Sequence, residues 1–153
     1  MRNALLVTNL AFLVLVTGCQ AHFRGMVDAG PDVRTALVTY EGKKFQLMTM
    51  GESAPLGRLN GYLVDVWGQK VCRTIRVDDW KAPTGIHGMT AWVGELQNHG
   101  VQIAFDDRNT GGFYFVHQSD EEEMRQFIGH TVLVEGYVEG NHRVQVMHYQ
   151  VLD

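Results

Sequence analysis

The 153-residue sequence is short of cysteine, proline, positive charge and long apolar runs, and each shortage excludes something. Two cysteines cannot staple a disulfide scaffold. Three prolines beside 17 glycines exclude a proline-rich tail. Thirteen Lys and Arg against 17 Asp and Glu leave a net charge of −4, so the chain lacks the cationic surplus of a nucleic-acid coat. The first apolar run, Ala4 to Val16, is broken by Thr8 and Asn9. It is shorter than the roughly 20 residues that cross a bilayer. What is present is 45% hydrophobic, 20% charged and 10% aromatic. That is a folded globular composition, sized for one domain or two very small ones.

The run that is too short to span has the size and charge order of a secretory signal. Arg2 supplies the positive start, and the apolar stretch closes on Val16-Thr17-Gly18-Cys19. Those four residues resemble the lipobox of bacterial lipoproteins. The resemblance implies a signal peptide over 1–18 and a cleavage that leaves Cys19 as the acylated N-terminus, with diacylglycerol on its sulfur and a palmitate-type chain on its amine. Two or three chains hold a protein on a membrane, where one does not. Gln20 in place of Asp after the cysteine resembles the outer-membrane default of enterobacterial lipoproteins, so the expected location is the outer membrane, facing the periplasm. The alternative is an ordinary secretory signal with a cysteine at its cleavage site. Residues 19–32 show no sustained period and contain the breaker Gly30-Pro31-Asp32, which predicts a tether. Cys72 lies in the alternating stretch Val71 to Ile75 and is expected to be semi-buried.

Residues 90–153 read as strand, strand, strand, short helix, strand, strand. Val101, Ile103 and Phe105 alternate with polar or small residues. Asp107 to Gly112 is a hairpin loop, and Asn98-His99-Gly100 a turn. Ser119 and Glu122 have the spacing of a capping box, and Met124, Phe127 and Ile128 form an apolar stripe behind it. Gly129 ends that helix, and strands follow over Thr131–Val138 and Arg143–Leu152. This order is that of an OB-fold, a five-stranded barrel. Gly94-x-Leu96, Phe105-x-Asp107-x-x-Thr110-Gly111 and Gly129-x-x-Val132-x-Val134-x-Gly136 resemble OB-fold proteins of bacterial envelopes.

The first half carries an echo. Gly61-x-x-Val64-x-Val66-x-Gly68 has the spacing of Gly129 to Gly136, Gly42 to Leu47 resembles Gly111 to Phe115, and Thr74 to Val77 resembles Arg143 to Val146. Such strings are common in β-rich chains, so coincidence and a tandem OB-like repeat both stand. The first copy, 33–81, lacks a clear first strand and a clear helix, with Pro55 where the helix belongs. The expected fold is therefore mainly β: an OB-like five-stranded barrel with one short helix over 90–153, preceded by a smaller, degenerate β lobe. Trp67 and Trp80 are expected to pack between the lobes. Charge divides unevenly: residues 19–81 hold nine basic and seven acidic side chains, residues 82–153 three and ten.

No pattern marks catalysis. Cys72, Ser53 and Ser119 have no adjacent base motif. Asp78-Asp79 and Asp106-Asp107 are neighbours in sequence, which places their side chains on opposite faces of a strand. Six of the seven histidines fall at or after His87, without zinc or EF-hand spacing. No cofactor or metal is expected. The function expected is a non-catalytic, membrane-anchored accessory or scaffold module binding an envelope protein or glycan. The candidate surface is the face of the second and third strands, with Trp92, Gln102, Asp107, Arg108, Asn109 and Tyr114. The alternative is a periplasmic small-ligand or metal-binding lipoprotein using the histidines or the acidic 106–111 loop.

Overall fold

A computed structural model describes residues 20–30 and 34–153. Residues 1–19, which hold the expected signal peptide and Cys19, and residues 31–33 lie outside the described residues. The first lobe contains β1 (Ala21–Asp28), β2 (Ala36–Thr39), β3 (Lys44–Met48), a 3-10 helix (Gly51–Arg58), β4 (Leu63–Val71) and β5 (Thr74–Lys81). The second contains β6 (Thr90–Glu95), β7 (Gln97–His99), β8 (Gln102–Asp106) and β9 (Phe113–Val116). Helix α1 (Glu121–Met124) follows with a 3-10 turn (Arg125–Phe127), then β10 (Thr131–Glu139) and β11 (Arg143–Val151). The protein is mainly β, with OB-like order in both lobes. Among the described residues no helix is long and apolar enough to cross a membrane.

The first lobe closes into a barrel in the order β1-β2-β3-β5-β4. The second forms a sheet in the order β6-β10-β11-β9-β8-β7, whose two end strands are consecutive in the chain on either side of Leu96. Each lobe has one parallel pair, β3 with β5 and β9 with β11, the rest being antiparallel. Gln46 lies opposite Thr74 in the first pair and Phe115 opposite Arg143 in the second, the same register displaced by one constant interval.

Close backbone crossings repeat as well. Strand β4 is bulged between Trp67 and Gly68, and β10 between Glu135 and Gly136. A Cβ on Gly68 would lie 2.1 Å from the Arg76 carbonyl oxygen, and one on Gly136 would lie 1.9 Å from that of Gln145. Only glycine admits such an approach. Gly25 meets the Val38 carbonyl and Gly94 that of Asp106 in the same way. The echo in the sequence is a structural repeat, and 61–68 and 129–136 occupy equivalent positions.

Five expectations are corrected by the structure. Residues 21–28 are the first strand of the first barrel rather than part of a tether, and that lobe is complete rather than degenerate. His22, Arg24 and Met26 point out while Gly25 and Val27 are buried. The inward Gly25, needed for the crossing with β2, removes an apolar residue from the alternation and hides the strand. The missing helix is the 3-10 helix, which carries Pro55 and still buries Leu56. Ser119 does not cap α1: its hydroxyl donates to Asp120 and pairs with the His117 ring, and the cap position falls on Asp120. Cys72 is exposed at the β4–β5 tip with φ of 54°, because the strand ends one residue earlier, at Val71. The Asn98–Gly100 turn is likewise displaced, Gln97–His99 pairing with β8.

The two lobes share apolar packing. The core of the first barrel, with Leu37, Val64, Ile75 and Trp80, continues into Ala91, Val93, Leu133 and Leu152 of the second lobe. The core of the second is built from Phe105, Ile103, Leu96, Met124, Val132 and Val144 among others. Strand β10 is buried on both faces at this point: Val132 and Val134 face their own lobe, while Leu133 faces the first.

Candidate functional site

The hairpin loop after β8 fastens the lobes. Asp107 is buried and accepts from the amides of Val93 (2.9 Å), Asn109 (3.2 Å) and Thr110 (2.8 Å) and from the Thr110 hydroxyl (2.7 Å). This holds the loop in one shape. Asn109, 7% exposed, reaches the connector: its Oδ1 accepts from the Ala82 amide (2.9 Å) and its Nδ2 donates to the carbonyls of Ala82 (2.8 Å) and Ala91 (2.7 Å). Arg108 reaches the first lobe. Its Nη2 donates to Asp79 (2.7 Å), its Nε donates to the Trp80 carbonyl (3.1 Å), and its guanidinium lies 5.1 Å from the Trp80 ring centre.

Beside this clasp a cleft of about 680 Å³ opens between the lobes. One wall is the 3-10 helix, with Glu52, Ala54, Pro55 and Arg58. It is fixed to β5 by the Trp80 indole, which donates to the Glu52 carbonyl (3.0 Å). The other wall is β6 with Val93, Gly94 and Glu95, and Leu152 and Asp153 close it. Most of the lining is apolar. The charges on it are four carboxylates, Glu52, Glu95, Asp106 and Asp153, against Arg58 and Arg108. Arg108 is engaged with Asp79 and lies 3.7 Å from Glu52, and Asp153 is held by the His130 ring (3.2 Å), which leaves Glu95 and Asp106, among the described residues, as the unpaired acids of the rim. The cleft therefore offers an apolar surface in an acidic frame, the chemistry that receives an apolar segment carrying positive charge.

The six residues singled out from sequence do not form one surface. Asp107 and Asn109 are spent on the loop and the junction, and Arg108 joins the clasp and borders the cleft. Trp92 is buried and Tyr114 half-buried, their ring centres 5.9 Å apart, with Phe105 beyond. Gln102 sits at the opposite end of β8. The outward aromatics of that face are the flanking residues. Phe113 and Phe115 are 5.1 Å apart edge to face, and the exposed His99 ring lies 5.5 and 5.7 Å from them. Period two puts Tyr114 inward and these two outward. Of the tryptophans expected at the junction, Trp80 is there, whereas Trp67 stacks on His22 of β1 at 4.8 Å.

A second cluster escaped the sequence reading. Glu135, 1% exposed, projects from β10 toward the connector 82–89. The Tyr62 hydroxyl donates to it (3.2 Å), as does the His87 amide (3.2 Å), and His87 Nδ1 stands 3.2 Å from both carboxylate oxygens. The His87 ring stacks on His148 at 3.9 Å. A Cβ on Gly85 would fall on the carboxylate, so Gly85 makes room for it. Burial, and then the Glu135 charge and hydrogen bond, push the Tyr62 phenol up to about 12. The signal was available: Glu135 follows Leu133 on the strand face that points to the first lobe. Among the described residues no group of three His, Cys, Asp or Glu side chains is placed to hold a metal ion.

No protein-family model matches the chain, and no curated protein matches it.

Proposed function

We propose that this protein is a non-catalytic binding module, held on the bacterial outer membrane through an acylated Cys19 and facing the periplasm. Its ligand is a segment of an envelope protein. The observation that carries the reading is the cleft between the lobes: about 680 Å³, mostly apolar in lining, framed by Glu52, Glu95, Asp106 and Asp153. The segment it fits is extended or turn-like, with apolar side chains for the floor and Lys or Arg for the rim. The side chains that could act as nucleophiles support a non-catalytic role. Ser53 bonds the Met50 backbone, Ser119 bonds its helix entry, and Cys72 lies at the β4–β5 tip, outside the cleft lining.

A photo-crosslinking residue at Gln97, on the cleft, tests this in cells against one at the exposed Gln118 of the second lobe. The expected result is one dominant envelope protein captured from 97 and not from 118. Equal capture from both positions, or none from 97, refutes the cleft as the site.

A second reading rests on Phe113, Phe115 and His99. Aromatic edges on the outer face of the second and third strands suit stacking on a glycan, and OB-folds use this face for oligosaccharides. Loss of glycan retention in Phe113→Ala, with protein crosslinking from 97 intact, favours it.

A further inference from the structure

The start of β1 sets where the first barrel stands relative to a lipid anchor. Ala21 is already paired with Gly68, and only Gln20 separates it from Cys19. Consecutive Cα atoms are 3.8 Å apart, so the two Cα positions are within about 7.6 Å. No tether remains to lift the barrel. Whatever surrounds Ala21 must lie against the surface that receives the acyl chains.

What surrounds it is a distinct end of the barrel. Strand β4 runs on past Gly68 through Lys70 and Val71 to the tip at Cys72 and Arg73, and the Arg73 carbonyl is tied to β3 through the Gln46 amide. The turn between β2 and β3 lies beside His22–Arg24, sharing a shallow depression with them. This end exposes two large apolar side chains, Tyr40 at 79% and Val71 at 67%. It also exposes Lys43, Lys70 and Arg73. Among the described residues neither Lys70 nor Arg73 has an acidic partner, although Lys70 lies over the Phe45 ring, and the turn's one acid, Glu41, is bound to Lys43.

Strand β1 then runs away from this end. At its far end Val27 donates to the Tyr62 carbonyl, and Ala29 donates to the Asn60 side chain. Tyr62 is the residue that meets Glu135 of the second lobe. The second lobe, with its excess of seven acids over bases, is thus placed at the pole opposite Ala21.

We propose that the turns 40–43 and 70–73 form a docking surface for anionic phospholipid headgroups. The first barrel stands on the membrane through Lys70 and Arg73, joined by Lys43 where it exchanges Glu41 for a headgroup, with Tyr40 and Val71 entering the headgroup layer, and the acidic lobe and cleft point into the periplasm. Basic side chains gain from an anionic surface, and apolar ones from the interface. Repulsion between the acidic lobe and the same lipids holds the molecule upright. This inference rests on the acylation of Cys19.

Cys72 makes the orientation measurable, since it lies on the proposed surface and its thiol is free. The full acylated protein is reconstituted into phosphatidylethanolamine vesicles with and without phosphatidylglycerol, and Cys72 is labelled with an environment-sensitive fluorophore. The same label at Gln118→Cys, in a Cys72→Ser background, reports on the second lobe. The expected result is quenching at 72 by a lipid-borne quencher, with protection from a soluble one at least fivefold greater than at 118, in anionic vesicles only. Lys43→Glu with Lys70→Glu and Arg73→Glu should abolish that protection while the protein still floats with the vesicles. Floating protein with a solvent-exposed label at 72 overturns the docking surface and leaves the anchor standing. Protein that fails to float overturns both. Equal protection in neutral vesicles overturns the role of headgroup charge. Protection that appears only on adding envelope proteins assigns the surface to a protein and overturns the lipid.

Discussion

Removing the Asn109 side chain should show whether the two lobes fold as one unit. In Asn109→Ala the Ala82 amide and the carbonyls of Ala82 and Ala91 lose partners at 2.9, 2.8 and 2.7 Å. The site is buried, so water replaces those partners poorly. Three net hydrogen bonds at about 0.5–1.5 kcal/mol each give roughly 2–4 kcal/mol, and unpaired buried groups push the value toward the upper end. A domain of this size holds only about 5–15 kcal/mol in total. The expected shift in melting temperature is roughly 6–12 °C. The assay is urea unfolding followed by far-UV circular dichroism and tryptophan fluorescence, which samples Trp67 and Trp80 in the first lobe and Trp92 in the second. The native protein should give coincident single transitions by both probes. Asn109→Asp should cost at least as much at neutral pH, because it sets a carboxylate oxygen against two carbonyls. A loss below about 0.5 kcal/mol for either variant, or two transitions in the native protein, would refute the reasoning that this loop joins the lobes.

Other outcomes follow from the same geometry. Gly68→Ala and Gly136→Ala should each destabilise by at least about 2 kcal/mol, read by denaturant midpoint, since each Cβ lands near 2 Å from a carbonyl oxygen. Near-neutral effects would contradict the duplicated crossing. The raised phenol of Tyr62 stays protonated in the folded state while the unfolded state loses its proton from about pH 10. Stability should therefore be fully present below pH 10 and fall between about pH 10 and 12. The loss is at most about 2.7 kcal/mol, and solvent screening at the phenol cuts it to on the order of 1–2 kcal/mol. Tyr62→Phe should flatten that part of the profile, and an unchanged alkaline slope would count against the Tyr62–Glu135 contact. Cys19→Ala should leave an unprocessed or mislocalised protein on membrane fractionation, and unchanged fractionation would defeat the anchor.

Most of the second lobe was legible because its signals are local. Alternation over 101–105, the turn formers of 107–112 and the glycines of 129–136 each report on a few neighbouring residues. The first lobe was legible only by comparison with the second, since its own first strand is interrupted by Gly25 and its helix by Pro55. Both residues answer to tertiary demands: a close crossing with β2 and a tight 3-10 helix beneath the barrel. The strand phase of the candidate surface differs from the sequence expectation. Tyr114, placed on that surface by the sequence, packs on Trp92 and Phe105, while the strand turns Phe113 and Phe115 out. Asp107 and Asn109 look like loop ligands in sequence because carboxylates and amides bind ions and sugars as well as backbone. Only the meeting of the loop with Ala82 and Ala91 of the connector region reveals their task. The cleft itself was illegible, since it is formed by residues 51–58, 93–97, 106–108 and 152–153 from both lobes.

The most direct test of a membrane-anchored binding module is an in-cell crosslinking pull-down of the anchored protein, analysed by mass spectrometry beside an Ala54→Trp variant that fills the cleft. The account predicts one dominant envelope protein at near-equal amount with the native chain, and its loss with the variant while membrane fractionation stays the same. The same partner recovered with the cleft filled, or no protein partner with the native chain, would contradict it.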